Sequence, residues 1–258
     1  MSCLKRKLDL AINANKKRTD DNIKIVSELH LTRLGREHFN ISCDKLAKFL
    51  LGKVLVHQVE NVVLKGRIIE TECYLGGDDK ASHSYNGRRT AANEAMYMEP
   101  GTAYVYKIYG IYHCFNVSSI ESGGAVLVRA LEPIKGIDKM QEYRNVSRMK
   151  IIKTHELCKV SRMKIIKTHE LCKGPSKLCI SMNITKENSN KVDMCKNNNL
   201  WIEADDYSNS FQIVNTARIG IGSTAEEWLH TPLRFYIKDN IHVSKRDREK
   251  EEELSVVN

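Results

Sequence analysis

VLVHQVENVVLKGRIIETECYLG, residues 54–76, decides the fold class. Val54–Val59 and Val62–Leu75 are β-like, rich in the branched residue types that suit a pleated surface. Ala103–Ser119 and Ala125–Leu131 read the same way, and strand-like sequence returns at Leu200–Glu203, Phe211–Ile221 and Leu233–Ile237. Helical signals are fewer. Ser42 can cap a helix over Cys43–Leu51, with Gly52 just past its end. A helical stretch runs from about Gly136 towards Lys173, and Gly174-Pro175 breaks it. Ser176 can start a short helix ending near Asn183, and Ser223 with Glu226 forms a capping box ahead of Trp228. Strands dominate without regular βαβ alternation. The expected class is α+β: a single domain with a mainly antiparallel, curved sheet and surrounding helices.

The chain has 258 residues, a formal net charge of +9 and 41% hydrophobic residues, enough to bury a core. No apolar run approaches the roughly 18–20 residues that cross a bilayer. The first residues, MSCLKRKLDLAINANKK, are charged where a signal peptide needs an apolar stretch. A membrane protein and a secreted protein are therefore not expected. The eight cysteines, at 3, 43, 73, 114, 158, 172, 179 and 195, contain no CxxC pair, so no metal site is expected and free thiols are.

Three regions follow. Residues 1–28 read as a disordered basic arm, seven basic against four acidic residues, a net of +3. Its clusters at 5–7 and 16–18 suit a nuclear localisation signal or a DNA tether, and equally an ordinary charged tail. Residues 29–243 form the domain, and 244–258 read as a charged C-terminal tail. Within the domain VSRMKIIKTHELCK occurs at 146–159 and again, identically, at 160–173. Solenoid repeats diverge, so an exact tandem copy of 14 residues is not an architectural repeat. In a continuous helix it adds about 21 Å and returns nearly to the same face, so it can extend or loop out a surface helix.

Chemistry concentrates in 68–131. A strand over IIETECYLG places Glu70, Glu72 and Tyr74 on one face. Carboxylates there either face water or, if buried, are paired or functional. Downstream, Tyr97, Tyr104, Tyr106, Tyr109 and Tyr112 crowd into sixteen residues. Tyr104 and Tyr106 share a face, and Gly110 permits a bend that pushes Tyr109 outward. Such a cluster serves a sheet core or a surface on which bases stack. Arg129, in AVLVRALEP, shares an apolar face with Leu127 and Leu131 and needs an anionic partner: Glu70, Glu72 or a phosphate. His83 lies in the polar loop ASHSYNGRRT.

Together these residues resemble the alkyladenine (3-methyladenine) DNA glycosylase family of eukaryotic type. The likeness begins at LTRLGREHF (31–39) and passes through GRIIETECYLG, DDKASHSYNGRRT, MYMEPGTAYVYKIYGIYHCFNVSS and VLVRALEP. It continues through ELCKGPSKLC (170–179) and ARIGIG to PLRFYIKD (232–239). The resemblance implies a monofunctional enzyme that flips alkylated or deaminated purines out of the helix and hydrolyses their N-glycosidic bond. The lesion types are 3-methyladenine, 7-methylguanine, hypoxanthine and ethenoadenine. It puts the general base on Glu72, with Arg129 positioning the attacking water. It puts the base pocket on Tyr74, His83, Tyr106 and Asn116, and the tyrosine that wedges into the minor groove on Tyr109. No cofactor or metal is implied. The expected partner is double-stranded DNA, with the protein acting as a monomer ahead of other base-excision-repair proteins. The expected compartment is the nucleus, with the mitochondrion as a second. The duplicated segment departs from the family pattern, in which the copy joined to GPSKLC looks native. Two other readings stand beside this one: a catalytically inactive DNA-binding protein of the same fold, and a hydrolase of free nucleosides.

Overall fold

A computed structural model of the chain describes residues 33–155, 165–205 and 211–256. By its internal packing the chain divides after Arg33, and Leu34–Asn258 is one compact unit. Two short helices open it, α1 (Arg36–Phe39) and α2 (Cys43–Phe49). Five strands follow: β1 (Val54–Val59), β2 (Val62–Tyr74), β3 (Ala103–Ile108), β4 (Tyr112–Ser118) and β5 (Ala125–Lys135). Then come α3 (Ile137–His155), α4 (Thr168–Leu171), α5 (Pro175–Ser181) and α6 (Lys186–Ser189). Strands β6 (Leu200–Glu203), β7 (Ile213–Thr216) and β8 (Arg234–Ile237) and helix α7 (Arg248–Val256) complete it. This is the expected α+β domain.

One antiparallel sheet runs in the order β3-β4-β5-β2-β1-β6, with β8 joining β2 and β7 joining β8. Strand β2 organises it. Residues 62–67 pair with β1 and residues 70–72 pair with β8, while β5 lies along the other edge from Lys65 to Tyr74. The register against β5 shifts on both sides of Glu70. Such a bulge raises the local twist and re-aims side chains, which is how one strand serves two neighbours on the same edge. It falls beside the two carboxylates.

One face of the sheet carries the core. Helix α2 packs on β2 and β5 and helix α5 on β4 and β5, burying Leu46, Leu50, Phe115, Leu178 and Phe235. The Thr71 hydroxyl donates to the Ala47 carbonyl at 2.8 Å, tying β2 to α2 on that face. Glu70 and Glu72 are turned to the other side.

Three local expectations are revised. Ser42 does not cap α2 through its side chain; its hydroxyl donates to Asp44 at 2.6 Å. The Cys43 N–H donates instead to both Glu121 carboxylate oxygens at 3.0 Å, a full charge at the positive end of the helix. Ser223 lies inside a short 3-10 helix, Ser223–Trp228, rather than ahead of it. The stretch 136–173 is not one helix. IIKTH is helical at 151–155, yet in the second copy 165–167 is irregular before α4. There the Gln141 amide bonds both the N–H and the carbonyl of the buried Ile166, removing them from any helical ladder. The Arg144 guanidinium binds the Glu170 and Leu171 carbonyls, and the Leu131 N–H donates to the Cys172 carbonyl at 3.2 Å. Among the described residues these anchoring contacts fall on the copy joined to GPSKLC.

The segment read as a C-terminal tail carries structure to Val256. Ser244 donates to Glu70 through its N–H at 2.7 Å and its hydroxyl at 2.9 Å, and Arg246 pairs with the buried Glu251 of α7. A buried carboxylate needs donors, and this segment supplies two of them. The arm 1–28, residues 156–159 of the first copy and residues 257–258 lie outside the described residues.

Candidate active site

Glu70 and Glu72 are both fully buried, so neither faces water. Isolated carboxylates there would be prohibitive, and the structure compensates both. Arg129 of β5 crosses to β2, its Nε donating to Glu70 at 3.2 Å and its Nη1 to Glu72 at 3.0 Å. Arg234 of β8 donates to Glu70 at 2.9 Å and also to the Ala217 and Lys245 carbonyls. Two carboxylates thus meet two guanidinium groups, and the buried cluster is electroneutral.

The two acids differ in their surroundings. Glu70 is closed in by Arg129, Arg234 and Ser244. Glu72 accepts the Ile219 N–H on Oε1 at 2.7 Å, and the Tyr74 hydroxyl and Arg129 on Oε2, each at 3.0 Å. Burial, then the neighbouring Glu72 charge, pushes the Tyr74 phenol well above its ordinary range, so it stays protonated and donates.

An aromatic group sits at β3. The His83 ring lies edge-on to Tyr106 at 4.6 Å between centroids, and Tyr104 and Tyr106 are 5.2 Å apart. His83 Nδ1 is 2.8 Å from the Tyr104 hydroxyl. Burial, followed by the charge of Arg88, lowers the His83 pKa, keeping the ring neutral at neutral pH. The loop bearing His83 is held by Asn93, whose amide donates to the His83 carbonyl at 3.0 Å and the Arg88 carbonyl at 2.8 Å. Asn116 of β4 is buried opposite Tyr104 and donates to its carbonyl at 3.0 Å.

The tyrosine run is therefore divided in its use. Tyr104 is buried beneath the group, whereas Tyr109 is 89% exposed. Tyr109 and Gly110 form the β3–β4 hairpin tip with φ of 51° and 72°, the double left-handed turn whose twist suits antiparallel strands. Gly110 takes its left-handed position without steric cost, so only Tyr109 carries the strain of a side chain at positive φ.

Of the residues singled out from sequence, the structure joins Glu72, Tyr74 and Arg129 by hydrogen bonds and His83 with Tyr106 by ring contact. Asn116 and Tyr109 lie on the adjoining hairpin. Sequence reasoning missed Arg234, Asp79 and Arg218 and the Ile219 N–H, and it gave Tyr104 no partner. Arg234 in LRFYI carried the same signal as Arg129, an arginine within an apolar strand. Asp79 and Arg218 form a bidentate pair at 2.6 and 2.9 Å, both side chains fully buried. Among the described residues no group of His, Cys, Asp and Glu could hold a metal ion, and no helix is long and apolar enough to cross a membrane.

A buried, arginine-held carboxylate and a cluster of aromatic rings are arranged as hydrolysis next to a flat, ring-shaped group would require. Comparison with known proteins gives the family. Residues 37–241 match the family described as methylpurine-DNA glycosylase. A probable DNA-3-methyladenine glycosylase of Encephalitozoon cuniculi is 46% identical over 204 residues, covering 79% of this chain and 89% of its own. A putative 3-methyladenine DNA glycosylase of Clostridium tetani is 45% identical over 216 residues, 83% of this chain and 100% of its own. The human DNA-3-methyladenine glycosylase is 43% identical over 230 residues, 87% of this chain and 72% of its own. The chain belongs to the methylpurine-DNA glycosylase family. It is by that membership an enzyme of DNA repair, and its substrate is DNA.

Proposed function

We propose that this enzyme removes alkylated and deaminated purines from double-stranded DNA, with Glu72 as general base. The observation that carries the reading is the Glu72 carboxylate, buried yet not saturated. A carboxylate offers about four lone-pair sites, and three donors leave one for a water proton. That water attacks the anomeric carbon as the C1′–N bond breaks; its proton passes to Glu72, and the base departs with the bonding electrons. The sugar goes through an oxocarbenium-like state, which the same carboxylate stabilises. Arg129 fixes the carboxylate and positions the water.

The reaction centre cannot be reached inside a duplex, so the nucleotide is flipped, at least cost when its pairing is already damaged. Tyr74 on one side and His83 with Tyr106 on the other sandwich the extruded base. Asn116 disfavours the exocyclic amine of normal guanine. The exposed Tyr109 wedges into the minor groove and fills the gap. With no lysine nucleophile in place of the carboxylate, the product is an abasic site in an intact strand. The lesion types expected are 3-methyladenine, 7-methylguanine, hypoxanthine and ethenoadenine, the protein acts as a monomer, and the compartment is nuclear.

The test is a duplex with one ethenoadenine, its products resolved with and without alkali. Strand breaks only after alkali are expected. Breaks without alkali would overturn the monofunctional assignment. Binding without base release would overturn the enzymatic reading in favour of an inactive DNA-binding protein.

A further inference from the structure

The Tyr74 ring is charged from behind. The Arg218 guanidinium lies over it at 4.7 Å from the centroid. Arg218 is itself fully buried, held by both oxygens of Asp79 and by a bond to the Cys73 carbonyl at 3.0 Å. The Trp228 ring lies on it as well, at 5.8 Å. Asp79 is fixed in turn by the Leu75 and Ala81 N–H groups at 3.2 and 3.0 Å. The neighbouring Ile219 N–H holds Glu72. This segment therefore locks the ring and the carboxylate together.

A cation is attracted to an aromatic face by the ring's negative quadrupole. A guanidinium already on one face draws down that density and repels a second cation beyond the ring, and burial leaves little water to screen it. Asp79 offsets part of the charge, but it binds the edge of the guanidinium, whereas the ring lies over it at 4.7 Å from its centroid.

We infer that Arg218, with Asp79 as its counter-ion, sets the lesion preference: it lowers the attraction of the Tyr74 face for cationic alkylated purines and so favours neutral damaged bases. This rests on the reading of Tyr74 as a wall of the base pocket. Arg218 is a specificity-determining residue that acts through the ring and need not touch the base.

The experiment compares single-turnover excision of cationic 7-methylguanine and neutral hypoxanthine from the same duplex, at subsaturating enzyme. The full chain is used, as wild type, as Asp79→Asn and as the double variant Asp79→Asn/Arg218→Gln. Removing the counter-ion alone lowers the ratio of cationic to neutral excision, and removing both charges raises it by about fivefold, the worth of one partly offset cation–π contact. Opposite shifts are something a merely structural role would not produce, because lost packing slows both substrates together. The double variant leaves no unpaired charge buried, so it decides the matter should Asp79→Asn fail to fold. A ratio unmoved within twofold in the double variant, with the wild type active, would overturn the inference and leave the glycosylase reading standing. A wild type that excises neither base would overturn both.

Discussion

Arg129 donates to Glu72 at 3.0 Å from the neighbouring strand and reaches Glu70 at 3.2 Å with the same guanidinium. The two acids stand at alternate positions of β2, so one planar fork spans both. A lysine, a single point charge, would serve one of them. Glu70 is met by four donors and Glu72 by three, so Glu72 retains an acceptor site.

Glu70 accordingly matters for stability. Replacing it with alanine strands Arg234 and the Ser244 donors that bind it. Breaking a buried pair of this kind costs about 3–5 kcal/mol. Denaturant unfolding of Glu70→Ala should show a loss of that size, and a loss below about 1 kcal/mol would remove the structural assignment.

The opposite expectation holds at the hairpin tip. Tyr109 is 89% exposed, so Tyr109→Ser should change stability by no more than about 0.5 kcal/mol. Excision should nonetheless slow by about tenfold or more, the worth of one lost stacking contact. An unchanged excision rate in the folded variant would withdraw the wedge role.

Burial lowers the pKa of His57, His83 and His242 below the ordinary 6.5, as its largest influence on each. Well above pH 6.5 each is neutral folded or unfolded, and stability is unaffected. Below it the unfolded chain takes up protons that the folded chain refuses, so stability is lost as pH falls from 6.5 through the lowered values. Thermal unfolding midpoints should decline between about pH 7 and 5, less steeply in His57→Gln. A slope that is the same in that variant would show that His57 takes no part.

The tandem copy gives a fourth test. Gln141 and Ile166 are 25 positions apart, and deleting the 14 residues 146–159 leaves 11 between them. A shorter connection between fixed points costs less to close, by about 0.7 kcal/mol here. The deletion should fold with equal or slightly greater stability by denaturant unfolding. A loss of more than about 2 kcal/mol would place an essential contact in the first copy.

Where local rules act alone, the sequence was legible. Period two in IIETECYLG put Glu70 and Glu72 together, the lone arginine in AVLVRALEP called for an anionic partner, and Gly110 marked the turn that exposes Tyr109. What escaped depends on contacts between distant residues. Glu121 caps α2 from 78 positions away, and Ser244 reaches Glu70 across 174. The second of the identical IIKTH peptides leaves the helix where Gln141 engages Ile166. Nothing within four residues could distinguish the two copies.

Glu72 is the centre of the account, and its isosteric amide tests it most directly. Glutamine keeps one accepting oxygen, enough for either the Ile219 N–H or the Arg129 guanidinium, and its amide cannot take a proton from water. In single-turnover reactions on an ethenoadenine duplex, Glu72→Gln should bind the lesion as the wild type does while excision falls by about 10²–10⁴-fold. Excision at the wild-type rate by a folded Glu72→Gln would contradict the assignment of the catalytic base.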